Sequence, residues 1–295
     1  MIRKNKKLLA YILYGILLTI GLLYYRFPSE AIEDYLQARA ERADPRLRFT
    51  VVKVSPTLTL GLKFLTPTLS LRANPGKTLF KADNLSVRPV IWTLFREQKK
   101  YCFESKAYQG VLEGCIDVSK NSSKTPILTS VTVTDLRMTE DSPFKSLIGR
   151  NLVGDLNGAM SYKGPTTSLM NGDGQANLRL SNGRIDLLEP ILSLKAIDFN
   201  EVLVKAVLRN RKINVSNMEI KARNMQGSLS GIISLKKDLF KSSLDMKGTI
   251  EPSDDFFKSL TGAADAMKLF RKRLKRGKIR FVIRGTLAEP RFRLI

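Results

Sequence analysis

The 295-residue chain contains no histidine, so the commonest general base and the commonest metal ligand are both missing. Its two cysteines, Cys102 and Cys115, are too few for a disulfide framework or a four-thiolate zinc centre. Acidic residues are scarce beside basic ones. The balance of 27 Asp and Glu against 50 Lys and Arg leaves a net charge of +23, which favours anionic partners such as phosphate backbones, lipid headgroups or acidic proteins. The Gly-x-Gly of GDGQAN, from Gly172, lacks the third glycine and the following helix of a dinucleotide site. No Walker-type phosphate loop is present, and Asp254-Asp255 reads as the acidic start of a helix rather than an acid/base pair. The expectation is a non-enzymatic protein with no catalytic residue, cofactor or metal.

Long apolar runs are scarce too: there is one. MIRKNKK places Arg3, Lys4, Lys6 and Lys7 before an uncharged run from Leu8 to Tyr25, carried by Leu8, Leu9, Ile12, Leu13, Ile16, Leu17, Leu18, Ile20, Leu22 and Leu23. At 1.5 Å per residue this run nearly crosses a hydrocarbon core of roughly 30 Å, and Tyr24 and Tyr25 fit an interfacial aromatic belt. The basic flank orients it with residues 1–7 in the cytoplasm and the bulk of the chain on the far side of the membrane. A cleavable signal peptide is the rival, with Ser29-Glu30-Ala31 as a small-x-small site, but bulky Arg26, Phe27 and Pro28 precede that site. An uncleaved membrane anchor at 8–25 is therefore favoured, and both readings export the remainder of the chain.

After the run, Ser29 is placed to cap a membrane-proximal helix over 28–45. From Arg46 the texture turns to short alternating segments, a first β portion over 46–120, and KNSSKTP (120–126) reads as a long loop or a boundary before a second β portion over 127–295. The second portion carries the frame Gly-x-Leu-x-Gly twice, in GDLNGAMSYKG from Gly154 and GSLSGIISLKK from Gly227, with a looser version from Gly172. Apolar residues fall on alternate positions in all three: Leu156, Met160, Tyr162; Ala176, Leu178, Leu180; Leu229, Ile233, Leu235. That is strand spacing with one apolar face, and glycines inside strands mark bends, bulges or close approach of a neighbour. Parity switches between Val215 and Met218, which predicts a bulge. Helices are expected over 142–151 and about 254–276, the latter with Phe256, Leu260, Ala263, Met267, Phe270 and Leu274 on one side. The fold class is mainly β: one transmembrane helix, then a large, curved, twisted, mostly antiparallel sheet, groove-like or open-barrel-like, with a few short helices.

Cys102 and Cys115 lie in two strands joined by a turn near Gln109-Gly110. A disulfide forms if the two face each other; a two-residue turn at that point makes them diagonal neighbours instead, and both alternatives stand. The run Arg271, Lys272, Arg273, Lys275, Arg276, Lys278, Arg280 and Arg284 contains no acid. It is a solvated face or a patch for an anionic partner; nucleic acid is disfavoured by the exported location and the lack of an aromatic platform.

The ending IRFVIRGTLAEPRFRLI, together with the Gly-x-Leu-x-Gly strands, resembles the AsmA-like group of envelope proteins, which have an N-terminal span and a long β-groove. FPSEAIEDYL, SPTLTLGLKF from Ser55, LFKADNLSVRP from Leu79, AYQGVLEG from Ala107, LRLSNGRI from Leu178 and PILSLKAIDFNEV from Pro190 resemble, more narrowly, the type II secretion system protein N family. The resemblance implies a bitopic inner-membrane protein with a β-rich periplasmic part, working through contacts with other secretion subunits or envelope proteins. The broader group implies an alternative: phospholipid held in the β-groove.

Overall fold

The computed structural model describes residues 5–43, 47–57, 60–72, 74–119, 126–140, 151–165, 168–191, 194–253, 256, 274 and 277–295. Helix α1 covers Asn5–Tyr25 and contains the whole apolar run. The side chains of Ile16, Leu17, Ile20 and Leu23 are not among those described. Among the described residues, no helix is long and apolar enough to cross a membrane. Helix α2, Ser29–Ala43, begins at the expected cap with Glu30 in its first turn. The helices expected at 142–151 and 254–276 fall outside the described residues, apart from Asn151, Phe256 and Leu274.

The rest is antiparallel sheet. Strands β1 (Leu47–Thr50), β4 (Thr68–Leu71) and β5 (Asn74–Lys81) make a small sheet in the order β1-β4-β5. The large sheet has 14 strands. Its first members are β2 (Lys53–Pro56), β3 (Leu62–Leu65) and β6 (Asn84–Pro89), followed by β7 (Gln98–Ala107), β8 (Gly110–Ser119) and β9 (Ile127–Met138). It continues through β10 (Leu152–Gly164), β11 (Asp173–Ile191), β12 (Leu194–Arg209), β13 (Lys212–Ala222), β14 (Met225–Ser234), β15 (Ser243–Pro252), β16 (Ile279–Thr286) and β17 (Pro290–Leu294). From β6 to β17 each strand pairs with the next in sequence, so the sheet is one long meander, with β3 and then β2 added beyond β6. Local hairpins account for this order: Tyr108 and Gln109 both take positive φ, as do Asn210 and Arg211, the combination that joins twisted strands by two-residue turns.

The division expected at 120–126 does not separate two sheets. β8 pairs directly with β9, Asp117 opposite Leu128, so the two β portions share one ladder. The predicted bulge is present as a register shift between Val215 and Met218. Comparable shifts interrupt the pairing of β10 with both neighbours. Asp135, at φ +49°, occupies one of them, where its N–H donates to Asn157 Oδ1 at 2.9 Å. Such irregularities bend strands and increase their twist.

The core lies on one face of this sheet. Val133, Leu136 and Met138 of β9, Leu180 of β11 and Phe199 and Val202 of β12 form the main buried cluster. A second cluster gathers Met225, Ile279 and Phe256, with Leu274 against it. Near the β7–β8 turn the small sheet joins the large one: Phe80 meets Tyr108 edge-on at 6.0 Å, and the Lys81 N–H donates to Tyr108 Oη at 2.8 Å. Burial pushes the Tyr108 hydroxyl above its ordinary pKa, and the Lys81 N–H works against that rise.

Candidate functional site: the apolar face of the large sheet

The paired registers assign every strand residue from β7 to β17 to one of two faces. Phe103, Gly114, Val131, Met160, Ala176 and Ala206 lie in one row across the sheet, and Leu156, Leu180, Val202 and Ile220 in another. This face is apolar over its whole width. The repeated frames contribute Leu156 and Met160 from β10, Leu178 and Leu180 from β11, and Leu229 and Ile233 from β14. Leu235 lies just past the end of β14.

Every glycine within β8 to β17 points to this same face, each opposite a bulky side chain or the bend of a strand. Phe103 lies directly opposite Gly114, Phe199 opposite Gly183, Phe281 opposite Gly248 and Tyr162 opposite Gly174. A Cβ added at Gly114, Gly183 or Gly248 would run into the facing phenyl ring. Large side chains therefore lie flat on the neighbouring strand instead of standing up into a second layer. The closing glycines of the two frames have a further reason to be glycine: Gly158 and Gly231 take φ of +156° and +148°, which other residues adopt only with strain. Gly-x-Leu-x-Gly thus encodes a thin apolar surface with room for its neighbours' side chains.

A thin apolar surface usually packs on something. At one end Phe256 and Leu274 cover Met225, Ile250 and Ile279. Most apolar side chains along the rest are half-buried, and Met160, in mid-face, is 38% exposed. The hydroxyl of Tyr162 on this face is buried with no hydrogen-bond partner among the described residues. Burial first, and the charge of Asp173 second, hold its pKa above the ordinary value.

The opposite face is polar and ion-paired. Arg137 meets Asp155 at 3.2 Å, while Arg179 and Lys221 share Glu201 at 2.9 Å each. The Lys221 hydrogen bond holds the Glu201 carboxyl below its ordinary value, against a smaller upward effect of desolvation. A hollow of about 350 Å³ opens where β7 to β12 end; among its lining residues are Asp117, Ser130, Lys163, Asp173, Gln175 and Arg209. Arg209 and Asp173 pair at 3.4 Å. The hollow brings together ion-pairing groups. Among the described residues, no cluster of three or more acids or cysteines is placed to hold a metal.

The residues singled out from sequence fall in three separate places. The described anchor side chains of α1, among them Leu8, Leu9, Ile12, Leu13, Leu18 and Leu22, are exposed. Cys102 and Cys115 are bridged, with Cα atoms 4.0 Å apart. The turn sits one residue earlier than the sequence suggested, at Tyr108-Gln109, so Ala107 pairs with Gly110 and the cysteines become direct partners on the polar face. Their close spacing is that of a pair without mutual backbone hydrogen bonds. Of the basic run, Arg271, Lys272, Arg273, Lys275 and Arg276 lie outside the described residues. Lys278 pairs with Glu251 at 2.6 Å and Arg284 with Asp245 at 3.5 Å, while Arg280 stands opposite Thr249 on the polar face. These three do not form one unpaired cationic patch at the edge of the apolar face. Sequence reading missed the matching of glycines to cross-strand aromatics; the common parity of the glycines was visible, but their partners depend on register.

A comparison with known protein families, curated proteins and solved structures found no match for this chain.

Proposed function

We propose that the protein is a non-enzymatic component of the type II secretion system, anchored in the inner membrane by α1, with residues 1–7 cytoplasmic and the sheet periplasmic. It works by presenting the apolar sheet face to another secretion subunit. The observation that carries this reading is where the family-like stretches fall. SPTLTLGLKF forms the β2–β3 hairpin, LFKADNLSVRP the passage from the small sheet to the large one, and AYQGVLEG the β7–β8 turn. LRLSNGRI spans the irregularity at Asn182 in β11, and PILSLKAIDFNEV joins β11 to β12. The stretches thus fall at turns, irregularities and strand connections spread along the β-rich part, and this spread is what supports the reading. The 21 residues of α1 make a helix about 31 Å long, close to the thickness of a hydrocarbon core, and this length supports reading α1 as the anchor.

Deleting the gene and measuring the release of the host's secreted hydrolases tests the reading. Accumulation in the periplasm, restored by the full chain but not by a chain lacking residues 1–28, is the expected result. Unchanged release contradicts it.

A second reading, carriage of phospholipid along the apolar face, is favoured by the partial exposure of Met160 in mid-face. Each buried methylene contributes about 0.8 kcal/mol, so an acyl chain laid along such a face is held firmly. Stoichiometric phospholipid in organic extracts of the purified protein, with normal secretion in the deletion strain, would replace the first reading with the second.

A further inference from the structure

The two ends of the strands differ in kind. Among the described residues, the connections at one rim are the tight turns Tyr108-Gln109 and Arg223-Asn224, with Phe256 and Leu274 packed on a buried cluster. At the other rim they carry large apolar side chains into solvent. The registers Pro56–Leu62, Pro89–Tyr101, Lys163–Asp173, Ser234–Ser243 and Gly285–Pro290 place five connections along this rim. Their exposed residues are Leu60, then Trp92 and Phe95, then Leu169, Leu239 and Leu287. Trp92, the only tryptophan of the chain, is 81% exposed and Phe95 is 90% exposed. Isolated exposed leucines need no explanation, but a row of them along one edge of a sheet does.

The part of the row from β10 to β17 is held together by further hydrogen bonds. The Arg211 N–H donates to the Met170 carbonyl at 3.0 Å, the Leu235 N–H to the Arg211 carbonyl at 2.7 Å, and the Leu287 N–H to the Ser242 carbonyl at 3.0 Å. Neighbouring connections from β10 to β17 are therefore tied to one another beyond the strand ladder. Cations alternate with the apolar tips: Arg96 beside Phe95, Arg209, Arg211 and Lys212 around the β12–β13 turn, and Lys236 and Lys237 before Leu239. The acids among them are fewer, and Asp173 and Asp238 are already paired with Arg209 and Lys241.

We infer that this rim docks on the surface of an anionic lipid bilayer. Tryptophan, phenylalanine and leucine at loop tips insert at the headgroup boundary, where an amphipathic indole is favoured, and lysine and arginine just behind them meet anionic headgroups. A line of separate tips some strands apart suits a laterally continuous, fluid surface, whereas a protein partner calls for a packed central anchor. Docking would bring the strand ends of the apolar face to the bilayer. The inference needs neither α1 nor the identity of a secretion partner.

Trp92 is a native reporter for the test. The full chain is reconstituted in phosphatidylcholine nanodiscs, which occupy α1, and mixed with separate vesicles of phosphatidylglycerol and phosphatidylcholine carrying brominated acyl chains. In a parallel arm the brominated anionic lipid is placed in the nanodisc itself, which separates docking on another bilayer from docking on the anchoring one. Trp92 emission is expected to shift to the blue and to be quenched in at least one arm, with the effect lost in pure phosphatidylcholine and weakened by salt. K236E and K237E together should lower vesicle partitioning by well over tenfold, at about fivefold for each cation removed. F95S with L239S should reduce the quenching while leaving the thermal unfolding midpoint unchanged, since both side chains are exposed. Trp92 emission unquenched by bromolipid in both arms overturns the inference, as does quenching indifferent to lipid charge. A blue shift that grows with protein concentration without bromolipid quenching assigns the rim to a second copy of the chain and likewise overturns it.

Discussion

The two faces of the large sheet are made by the same strands and differ in almost every physical respect. On the apolar face, size alternates between neighbours, ring over glycine, and the surface is held by contact. The polar face alternates charge between neighbours, Arg137 with Asp155 and Arg179 and Lys221 with Glu201, and is held by exposed ion pairs. Exposed pairs contribute only about 0–1 kcal/mol each, whereas a buried phenyl contributes several. Stability should therefore reside on the apolar face, while the polar face supplies solubility and register. The same contrast explains why glycines inside strands, ordinarily weakening, are concentrated where packing is greatest.

The largest effects should come from Gly183 and Phe199. F199A removes a buried ring and is expected to cost about 4 kcal/mol; G183V drives a branched side chain into that ring and into the Val153 carbonyl, and should cost about as much. Because the two occupy one space, the double variant should cost clearly less than the sum, measured by denaturant unfolding of the full chain in micelles. Strict additivity would refute the packing of ring over glycine. Next come adjacent residues of β14: L229D, on the apolar face, is expected to cost about 3 kcal/mol. S230D points to the other face opposite Lys247 and should change stability by less than about 0.5 kcal/mol. Equal damage would contradict the assignment of faces.

Smaller effects belong to the polar face. The Cys102–Cys115 bridge closes a 13-residue separation, and replacing both cysteines with serine is expected to cost about 2 kcal/mol in calorimetry. An unchanged midpoint would mean that the hairpin needs no bridge. The smallest is the acid dependence of Glu201. Its folded-state pKa lies below the ordinary 4.5, so its contribution is present above the unfolded value and is lost as pH falls through the folded value. The stability difference between the native chain and E201Q should therefore shrink as pH falls below the ordinary 4.5. A difference independent of pH would mean that the Lys221 pair contributes nothing.

Much of this was legible in the alternation. The spacing of Leu156, Met160 and Tyr162, and of Leu229 and Ile233, locates strands and assigns their apolar side, because side-chain direction repeats every two residues. The parity switch at Val215 to Met218 marks a bulge for the same reason. Cross-strand identity was not legible. Whether Cys102 meets Cys115 depends on one residue of turn position, and no local pattern separates Tyr108-Gln109 from Gln109-Gly110, since tyrosine and glutamine are unusual at positive φ. The continuity of the sheet past residues 120–126 was hidden because a polar, proline-ended connection reads alike at a hairpin and at a domain boundary. The basic run from Arg271 looked like one patch in sequence; Lys278 and Arg284 turn out to answer acids on β15, which the run itself does not contain.

If the apolar face is used by something outside the fold, neighbouring residues of β10 will show it. Met160 lies on that face and Ala159 on the other, and both are exposed. A benzophenone side chain placed at position 160 of the full chain and irradiated in the host envelope should capture a second molecule, identified by mass spectrometry as a secretion subunit, while the same group at position 159 should not. Capture at 160 confined to the protein's own segment 254–273, with nothing else bound, would reveal a face closed by its own chain and contradict that use.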